Sequence, residues 1–310
     1  MNTFEQIQDI LRTRAELRAK LALIPYDGTI EIKSISEKKY IYVRKRVAGR
    51  VSSKYVGPFS DELYNLLLRN SKEAKELRKR IRIAEKELAL LGYNEENLSP
   101  EVVLNLELAR ANMKAIIYAQ AVLEGISTTF SNAESILDNG IVNNMMVDDV
   151  QKILNLKHAW EFILDKDVIT SPSNYYLSSY IAKLVNEGFY QEGGKIRGVP
   201  DTIGGTTYIP PMPVEYEVKD DIDSILSSGK EKIDIAIELI LYITKTQVYN
   251  DGNKRTAVIL GNHYMIANAL GLIVIPFDKV AEFKEKLVLY YEDKDLESVK
   301  DFLKDCWVKL

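Results

Sequence analysis

The chain has 310 residues, of which 46% are hydrophobic and 28% are charged, a composition ordinary for a globular protein with a core of normal size. Its length allows one large domain with a smaller one. A formal net charge of −4 gives no reason to expect that the chain as a whole binds nucleic acid. The single cysteine, Cys306, excludes an internal disulfide framework.

The first residues show no targeting segment. Residues 1–23 mix charged with apolar side chains, so they lack the apolar centre of a secretory signal peptide. No apolar run in the chain approaches the roughly 20 residues that cross a bilayer. We therefore expect a soluble, cytoplasmic protein without a membrane partner.

The front of the chain, residues 1–95, predicts a small α+β module. Residues 1–23 and 60–91 have the periodicity of amphipathic helices. Strand-type residues alternate between them, interrupted by Ser/Glu and Ala-Gly turns. The predicted strands are 29–33, 39–46 and 50–56. A linker rich in Asn, Glu and Ser, residues 94–100, separates this module from a second domain, residues 96–310.

The predicted strands carry a local excess of positive charge. Between residues 33 and 54 there are eight basic residues and one acidic residue, with Tyr40, Tyr42 and Tyr55 interleaved or adjacent. A basic sheet with exposed tyrosines could bind a phosphate backbone and stack on bases, so residues 33–54 are a candidate nucleic-acid surface. The alternative is a solvated sheet whose lysines prevent edge-to-edge association, with tyrosines facing the helices.

The second domain is predicted to be mainly helical. Its helical patterns cover residues 101–126, 147–164, 175–188, 222–226, 233–246, 255–270, 280–291 and 296–310. Residues 193–211, rich in glycine and β-branched residues, predict a β-hairpin. His158 is predicted to pack in the core, and His263 lies about two helical turns beyond Arg255.

The loop that joins two of these helices, residues 247–255, reads Gln-Val-Tyr-Asn-Asp-Gly-Asn-Lys-Arg. Gly252 can adopt a left-handed conformation, and Asp251 or Asn253 can cap the next helix. A helix that starts there directs free N–H groups at an anion, and the two following cations add positive charge. Asp251 is an oxygen ligand of the kind that Mg²⁺ uses beside phosphates. The loop therefore predicts a cradle for a metal-chelated polyphosphate; the alternative is a pair of helix caps.

The loop resembles the signature of the Fic/Doc (Fido) family, His-x-Phe-x-Asp/Glu-Gly-Asn-Gly/Lys-Arg, in its Doc-type variant with lysine. This resemblance implies a mainly α fold, a helical bundle with a β-hairpin flap, here preceded by the α+β module. It implies a protein nucleotidyltransferase that moves AMP from Mg-ATP to a Ser, Thr or Tyr hydroxyl of a target protein. The lysine also allows Doc-like phosphotransfer, as in toxin–antitoxin systems.

The resemblance assigns roles within the loop. Asp251 would bind Mg²⁺, and the nucleotide would contact Gly252, Asn253, Lys254 and Arg255. The catalytic set would be Gln247, Asp251, Asn253 and Arg255. Gln247 stands where the family has its catalytic histidine, and glutamine cannot accept a proton near neutral pH. The resemblance thus implies either an impaired transferase or an inactive protein that binds a nucleotide or partner, and leaves enzyme status open.

A second motif, Glu124-Gly125, resembles the family's inhibitory-helix motif Ser/Thr-x-x-x-Glu-Gly/Asn, with Gln120 at the Ser/Thr position. The glutamate of that motif occupies the space of the terminal phosphate. Its usual partner, an additional arginine, is replaced here by Val258. Glu124 would therefore have to pair with Arg255 or Lys254. The alternative is a helix end closed by glycine.

The predicted hairpin resembles the family's flap, which clamps the target segment by strand addition. Its target-binding residues would be Ile203, Gly204, Gly205, Thr206, Thr207 and Tyr208. The alternative is an ordinary surface hairpin. A second copy of the chain is a further candidate partner.

Overall fold

A computed structural model describes residues 3–47, 50–93, 98–139 and 145–309. The chain divides into two compact units, Met1–Glu95 with Asp138–Gly140, and Glu96–Leu137 with Ile141–Leu310. The predicted Ala-Gly turn and residues 94–97 of the predicted linker lie outside the described residues.

The first unit is a helical pair with a three-stranded antiparallel meander in the order β1-β2-β3. Its elements are α1 (Thr3–Leu23), β1 (Thr29–Ile35), β2 (Lys38–Val47), β3 (Arg50–Pro58) and α2 (Asp61–Leu90). Ser36 and Glu37 both have positive φ, 47° and 68°, which is the geometry of a tight two-residue hairpin turn. The hydroxyl of Ser60 caps α2 by accepting a hydrogen bond from the Leu63 N–H at 3.1 Å.

The core of the first unit follows from the two periodicities of its elements. Ile41 and Val43, alternate residues of β2, are buried against Leu67 of α2. Leu17 of α1 packs in a separate cluster with two residues of α2, Leu77 and Ile81. Helix α2 therefore carries one apolar stripe that serves the sheet near its start and α1 further along.

Among the described residues of the second unit, the regular elements are helices and one short strand pair, which confirms the prediction of a mainly α fold. Its helices are α3 (Pro100–Leu123), α4 (Phe130–Asn139), α5 (Val147–Ile163), α6 (Lys166–Ile169), α7 (Tyr175–Val185), α8 (Glu215–Leu226), α9 (Lys232–Thr246), α10 (Asn253–Ala267), α11 (Val280–Tyr291) and α12 (Ser298–Asp305). Strands β4 (Leu272–Ile273) and β5 (Trp307–Val308) form the pair. Among all the described helices, none is long and apolar enough to span a bilayer.

Helix α10 is the central element of this unit, since it packs on α3, α5, α7 and α9. Its contact with α9 is close because residue 261 is glycine: a Cβ there would lie 2.6 Å from Cγ1 of Ile240. Asn262 ties the same helix to β4 by donating to the Ile273 carbonyl at 3.0 Å and accepting from the Ile273 N–H at 2.9 Å. The helix that follows the loop is therefore held on several sides.

Several parts of this unit differ from the sequence prediction. Helix α4 was not predicted, although Ala133, Ile136 and Leu137 are buried at helical spacing. The predicted helix over residues 296–310 ends at Asp305, and the chain then pairs as β5 with β4. The backbone groups of β4 need a partner in the core, and the end of the chain supplies it.

The predicted β-hairpin over residues 193–211 is wrong: within this fully described stretch, the backbone forms turns and a single isolated bridge, Ile196 to Tyr249. Pro200, Pro210 and Pro211 lack the N–H that a strand ladder requires. Two side chains hold its backbone instead, Arg197 from within the stretch and Glu292 from outside it.

Candidate functional site

The loop between α9 and α10 is bounded by two left-handed residues. Helix α9 ends at Thr246, and the next residue, Gln247, has φ 50° and ψ 60° and donates its N–H to the Ile243 carbonyl at 3.1 Å. Gly252, with φ 72°, precedes α10. A Cβ at residue 252 would lie 2.8 Å from Cγ1 of Val185, so both the conformation and the space require glycine. The loop path is therefore fixed at both ends.

Asn253 closes the loop on itself. Its Oδ1 accepts from the Tyr249 N–H at 2.8 Å, and its Nδ2 donates to the Tyr249 carbonyl at 2.7 Å and to Gln247 Oε1 at 3.0 Å. The side chain is 4% exposed. Both N–H groups and the carbonyl of this amide thus bond within the loop, and the group that residue 253 can offer a ligand is its backbone N–H.

Gln247 faces inward. Its Nε2 donates to the Thr244 carbonyl at 2.6 Å, while its Oε1 accepts from Asn253. Because a backbone carbonyl can only accept, this pattern fixes the orientation of the amide. The residue is 8% exposed, so its side chain is bonded into the protein.

The start of α10 presents backbone donors. Its first backbone bond runs from the Thr256 N–H to the Gly252 carbonyl at 2.8 Å. Among the described residues, no acceptor is found for three backbone N–H groups, those of Asn253, Lys254 and Arg255. These orphan donors and the helix dipole attract an anion.

Arg255 brings a buried cation to the same place. Its side chain is 1% exposed, and its guanidinium donates to Asp251 Oδ2 at 3.0 Å and to the Val185 carbonyl at 3.5 Å. The Arg255 Nε lies 3.5 Å from Oε2 of Glu124 but has no hydrogen-bond partner. The side chain of Asp251, by contrast, is 41% exposed. The site thus combines a buried cation with an accessible carboxylate.

Glu124 reaches this site from the end of α3. The helix closes with two hydrogen bonds, from the Gly125 N–H to the Val122 carbonyl and from the Ile126 N–H to the Ala121 carbonyl, each 3.0 Å long. Gly125 has φ 79°, the left-handed geometry that this closure uses. The Oε1 of Glu124 is 4.0 Å from the Lys254 Nζ. The carboxylate therefore lies beside both cations of the loop.

Gln120 and Val258, which the motif resemblance also concerns, offer Glu124 no positive charge. Gln120 accepts from Trp160 Nε1 at 2.8 Å in the core. Val258 is 3% exposed and lines a void of about 10 Å³ together with Gln120 and Leu123. This pocket offers no cation, which leaves Arg255 and Lys254 as the cations near Glu124.

Neither histidine of the chain lies in the loop. His158 contacts Glu187 through Nδ1 at 3.0 Å and is buried in α5, in line with its predicted place in the core. His263 is fully buried between the Ser173 hydroxyl at 2.8 Å and the Val168 carbonyl at 3.0 Å. Burial lowers the pKa of His263 to about 4. His263 is therefore a neutral core residue.

The segment with the proposed target-binding residues, 203–208, is anchored by the end of α11. Oε1 of Glu292 accepts from the Thr206 hydroxyl at 2.7 Å and from the Thr207 N–H at 3.1 Å. Lys294 and these donors lower the pKa of Glu292 to about 2. The Tyr208 ring stacks on Tyr291 with centroids 6.3 Å apart. This anchoring replaces the predicted cross-strand pairing.

Arg197, which the sequence analysis missed, joins the segment to the loop. It is 1% exposed and donates to the carbonyls of Gln247 at 2.6 Å, Val199 at 2.9 Å and Pro210 at 3.1 Å, and also to that of Pro211. No carboxylate of the described residues forms an ion pair with it. Nothing in the sequence marks this role, because its partners are backbone carbonyls, which every residue type has.

The donors fit Mg²⁺ only in the presence of phosphate. Within the described part of the chain, no three His, Cys, Asp or Glu side chains converge as a metal site. Asp251 offers one exposed carboxylate beside the anion-attracting helix end. Mg²⁺ is commonly held by one or two carboxylates together with substrate phosphates, so this arrangement suits it.

Comparison with known proteins agrees with the geometry of the second unit. Residues 176–265 match the model of the Fic/DOC family, and residues 4–65 match a domain of unknown function (DUF6788). A search of curated proteins gives no match.

Solved structures share the fold. Fic-1 from C. elegans is 17% identical, with a TM-score of 0.54 over 80% of this chain and 73% of that chain. A Fic domain-containing signaling protein from Bacteroides thetaiotaomicron is 15% identical, with a TM-score of 0.54 over 68% of this chain and 87% of its own. A Fic family protein from Desulfovibrio desulfuricans is 14% identical, with a TM-score of 0.55 over 69% and 74%. Over residues 176–265 the chain thus matches the Fic/DOC family, and its fold is the mainly helical one of the Fic structures.

Proposed function

We propose that the loop over residues 247–255 binds Mg-ATP and that the chain is a Fic-type protein nucleotidyltransferase whose transfer step is impaired by Gln247. The observation that carries the proposal is Arg255. A cation that is 1% exposed stands beside three backbone N–H groups without acceptors, and its Nε has no hydrogen-bond partner. A bound phosphate would satisfy these donors together.

The same geometry assigns parts to the neighbouring residues. Asp251 would hold Mg²⁺ jointly with phosphate oxygens, and the ion would neutralise part of their charge. Lys254 would add a second cation at the helix end. Glu124 occupies a position 3.5 Å from the Arg255 Nε, which is where an anionic ligand of that arginine belongs. Nucleotide binding would therefore compete with the Glu124 carboxylate.

In the proposed transfer, a target hydroxyl oxygen forms a bond to the α-phosphorus of ATP while the bond from that phosphorus to pyrophosphate breaks. The hydroxyl proton needs an acceptor. Gln247 cannot accept it, and both groups of its amide are already bonded to Thr244 and Asn253. Loss of a general base typically slows such a step by about 10²–10⁴-fold. Positioning and charge neutralisation would remain, so slow transfer is the expected activity.

Two alternatives use the same site. The inward-facing amide of Gln247 favours a protein that binds the nucleotide without transferring it. Lys254 favours the Doc-like variant, in which the γ-phosphoryl group moves to the hydroxyl and ADP leaves. All three versions require nucleotide binding at Arg255, so they share one binding test and differ in the product.

The test combines thermal melting with intact-mass spectrometry of the whole chain, of Gln247→His and of Gln247→His/Arg255→Ala after incubation with Mg-ATP. The chain supplies its own hydroxyls as targets. We expect Mg-ATP to raise the melting temperature of the unaltered chain. We also expect Gln247→His to gain a nucleotidyl mass much faster than the unaltered chain does. A phosphoryl mass would instead select phosphotransfer. If no variant shows a thermal shift or a mass gain, the proposal fails and the chain is a scaffold without nucleotide chemistry.

A further inference from the structure

The outer face of the first unit's sheet, the side opposite α2, is the feature that the proposed function leaves unused. Ile41 and Val43 face Leu67 of α2, and successive strand residues point to opposite sides. Tyr40, Tyr42, Arg44 and Arg46 therefore project from the outer face of β2. Antiparallel register places Lys33 opposite Tyr40, and Tyr55 opposite Tyr42.

Three tyrosine rings form one cluster on this outer face. The ring of Tyr55 lies 5.4 Å from that of Tyr42 and 6.2 Å from that of Tyr40, centroid to centroid. Tyr55 is 48% exposed. Cross-strand aromatic pairs stabilise a sheet by roughly 0.2–1 kcal/mol each, and the exposed part of the Tyr55 ring remains open to a ligand. The alternative in which the tyrosines face the helices does not apply.

Positive charge borders the cluster. Arg44 and Arg46 have exposed side chains and, within the described residues, no carboxylate partner. The one acid on this face, Glu31, is 3.7 Å from Lys33, whose Nζ also lies 4.5 Å above the Tyr42 ring. Lys33 is 41% exposed, so it can leave the ring for a phosphate. The outer face thus combines aromatic surface with uncompensated cations.

We propose that this outer face binds single-stranded nucleic acid, with the tyrosine cluster stacking on bases while Arg44 and Arg46 contact phosphates. The chemistry selects a single strand, because base faces are buried in a duplex and open in a single strand. Non-specific electrostatic binding of a polyanion would depend on the arginines but not on the tyrosine rings. The proposal concerns the first unit alone and stands independently of the loop over residues 247–255.

The test is fluorescence anisotropy of the full chain with labelled oligothymidine and oligouridine, each longer than the roughly 4–16 nucleotides that single-strand sites cover. We expect Tyr55→Ala to weaken binding by roughly 5- to 150-fold, the range for loss of one stacked base. Tyr55→Phe, which keeps the ring, should bind as the unaltered chain does.

A charge-matched pair separates the sheet from general electrostatics. Arg44→Ser/Arg46→Ser should lower the slope of log K against log salt by about 1.4, since each single-strand phosphate contact contributes about 0.7. Lys79→Ser/Arg80→Ser, an equal charge change on the exposed side of α2, should leave the slope unchanged.

The outcomes are decisive in both directions. Binding to either single strand with these variant effects supports the proposal, and the tighter of the two names the preferred sugar. Absence of binding at about 50 mM salt, where electrostatic contacts are strong, overturns it. Equal affinity for a duplex of the same length also overturns it. So does a change in the salt slope from Lys79→Ser/Arg80→Ser as large as that from Arg44→Ser/Arg46→Ser.

Discussion

Asn253 Nδ2 donates to Gln247 Oε1 at 3.0 Å, so the residue that follows α9 is bonded to the first residue of α10. The same amide bonds both backbone groups of Tyr249, which is fully buried. Asn253 therefore shapes the loop from inside, a role separate from the ligand contact that the motif resemblance implies. In the proposed nucleotide site, the backbone N–H groups and Arg255 are then the elements that would bind phosphate.

We predict that Asn253→Ala destabilises the protein more than Gln247→Ala does. Asn253→Ala removes three hydrogen bonds and leaves the buried N–H and carbonyl of Tyr249 without partners. At about 1 kcal/mol each, the free energy of unfolding should fall by roughly 3 kcal/mol. Gln247→Ala removes two bonds and should lower it by about 1–2 kcal/mol.

Urea titration of both variants measures this difference. Asn112→Ala is the matched control, because its amide makes one exposed bond, to the Leu108 carbonyl at 2.8 Å. Its unfolding free energy should change by less than about 0.5 kcal/mol, as exposed substitutions do. An effect of Asn253→Ala no larger than the control's would contradict the role assigned to this amide.

We predict that Glu124→Ala strengthens Mg-ATP binding. The Glu124 carboxylate lies 3.5 Å from the Arg255 Nε and 4.0 Å from the Lys254 Nζ, so it competes with phosphate for both cations. Two like charges about 4 Å apart repel by about 4 kcal/mol at an effective dielectric constant of 20, and relaxation reduces this value. We therefore expect affinity to rise by at least about tenfold, or 1.4 kcal/mol.

Calorimetric titration with Mg-ATP measures the affinity, and Glu107→Ala, an exposed glutamate on the same helix, controls for the loss of one negative charge. The control should bind as the unaltered chain does. Weaker binding to Glu124→Ala would show that the carboxylate supports the nucleotide site and does not compete with it.

We predict that Arg197→Met frees the segment over residues 199–212. Its guanidinium bonds the carbonyls of Gln247, Val199 and Pro210, and hydrogen bonds to a charged group contribute about 1.5–3 kcal/mol each. Limited proteolysis should cut this segment at least about tenfold faster, since local opening would become easier by more than 1.4 kcal/mol.

A variant at the other anchor of the segment gives the comparison. Glu292→Gln keeps an acceptor for Thr206 and Thr207 but loses the charge, so it should speed cleavage less than Arg197→Met does. Cleavage of Arg197→Met at the rate of the unaltered chain would show that the prolines alone hold the segment.

The local features of the loop were predictable because they depend on residue type. A glycine at 252 and cations at 254 and 255 have few structural uses between two helices, and apolar periodicity places those helices. The expected pairing of Glu124 with the loop cations came instead from the resemblance of its motif to that of the Fic/Doc family. The distance of 3.5 Å from Glu124 to Arg255 could not be predicted, because it depends on how α3 packs against α10.

The wrong predictions of a hairpin and of a helix at the end of the chain have one physical cause. The sequence does not show which groups form hydrogen bonds with the backbone N–H and carbonyl groups. Residues 193–211 have strand-type composition, but Arg197 and Glu292 take over the hydrogen bonds that a hairpin would make. The end of the chain has helical periodicity, but its last residues pair with β4. Through Glu292 in the first place and through β4 in the second, a partner distant in sequence contributed to overriding the local preference.

Finally, we predict that burial of His263 makes the protein acid-sensitive. Burial lowers its pKa to about 4, from an ordinary value near 6.5 in the unfolded chain. Between these values the unfolded state binds the extra proton, so the stability present above pH 6.5 is lost as the pH falls. From about pH 7 to pH 5 the free energy of unfolding should drop by about 2 kcal/mol from this residue alone. Urea titrations across this range test the prediction. His263→Gln should flatten the pH dependence by that amount, whereas Ser173→Ala, which removes only the hydroxyl 2.8 Å from Nδ1, should retain it. If both variants keep the full slope, the acid sensitivity arises from other groups.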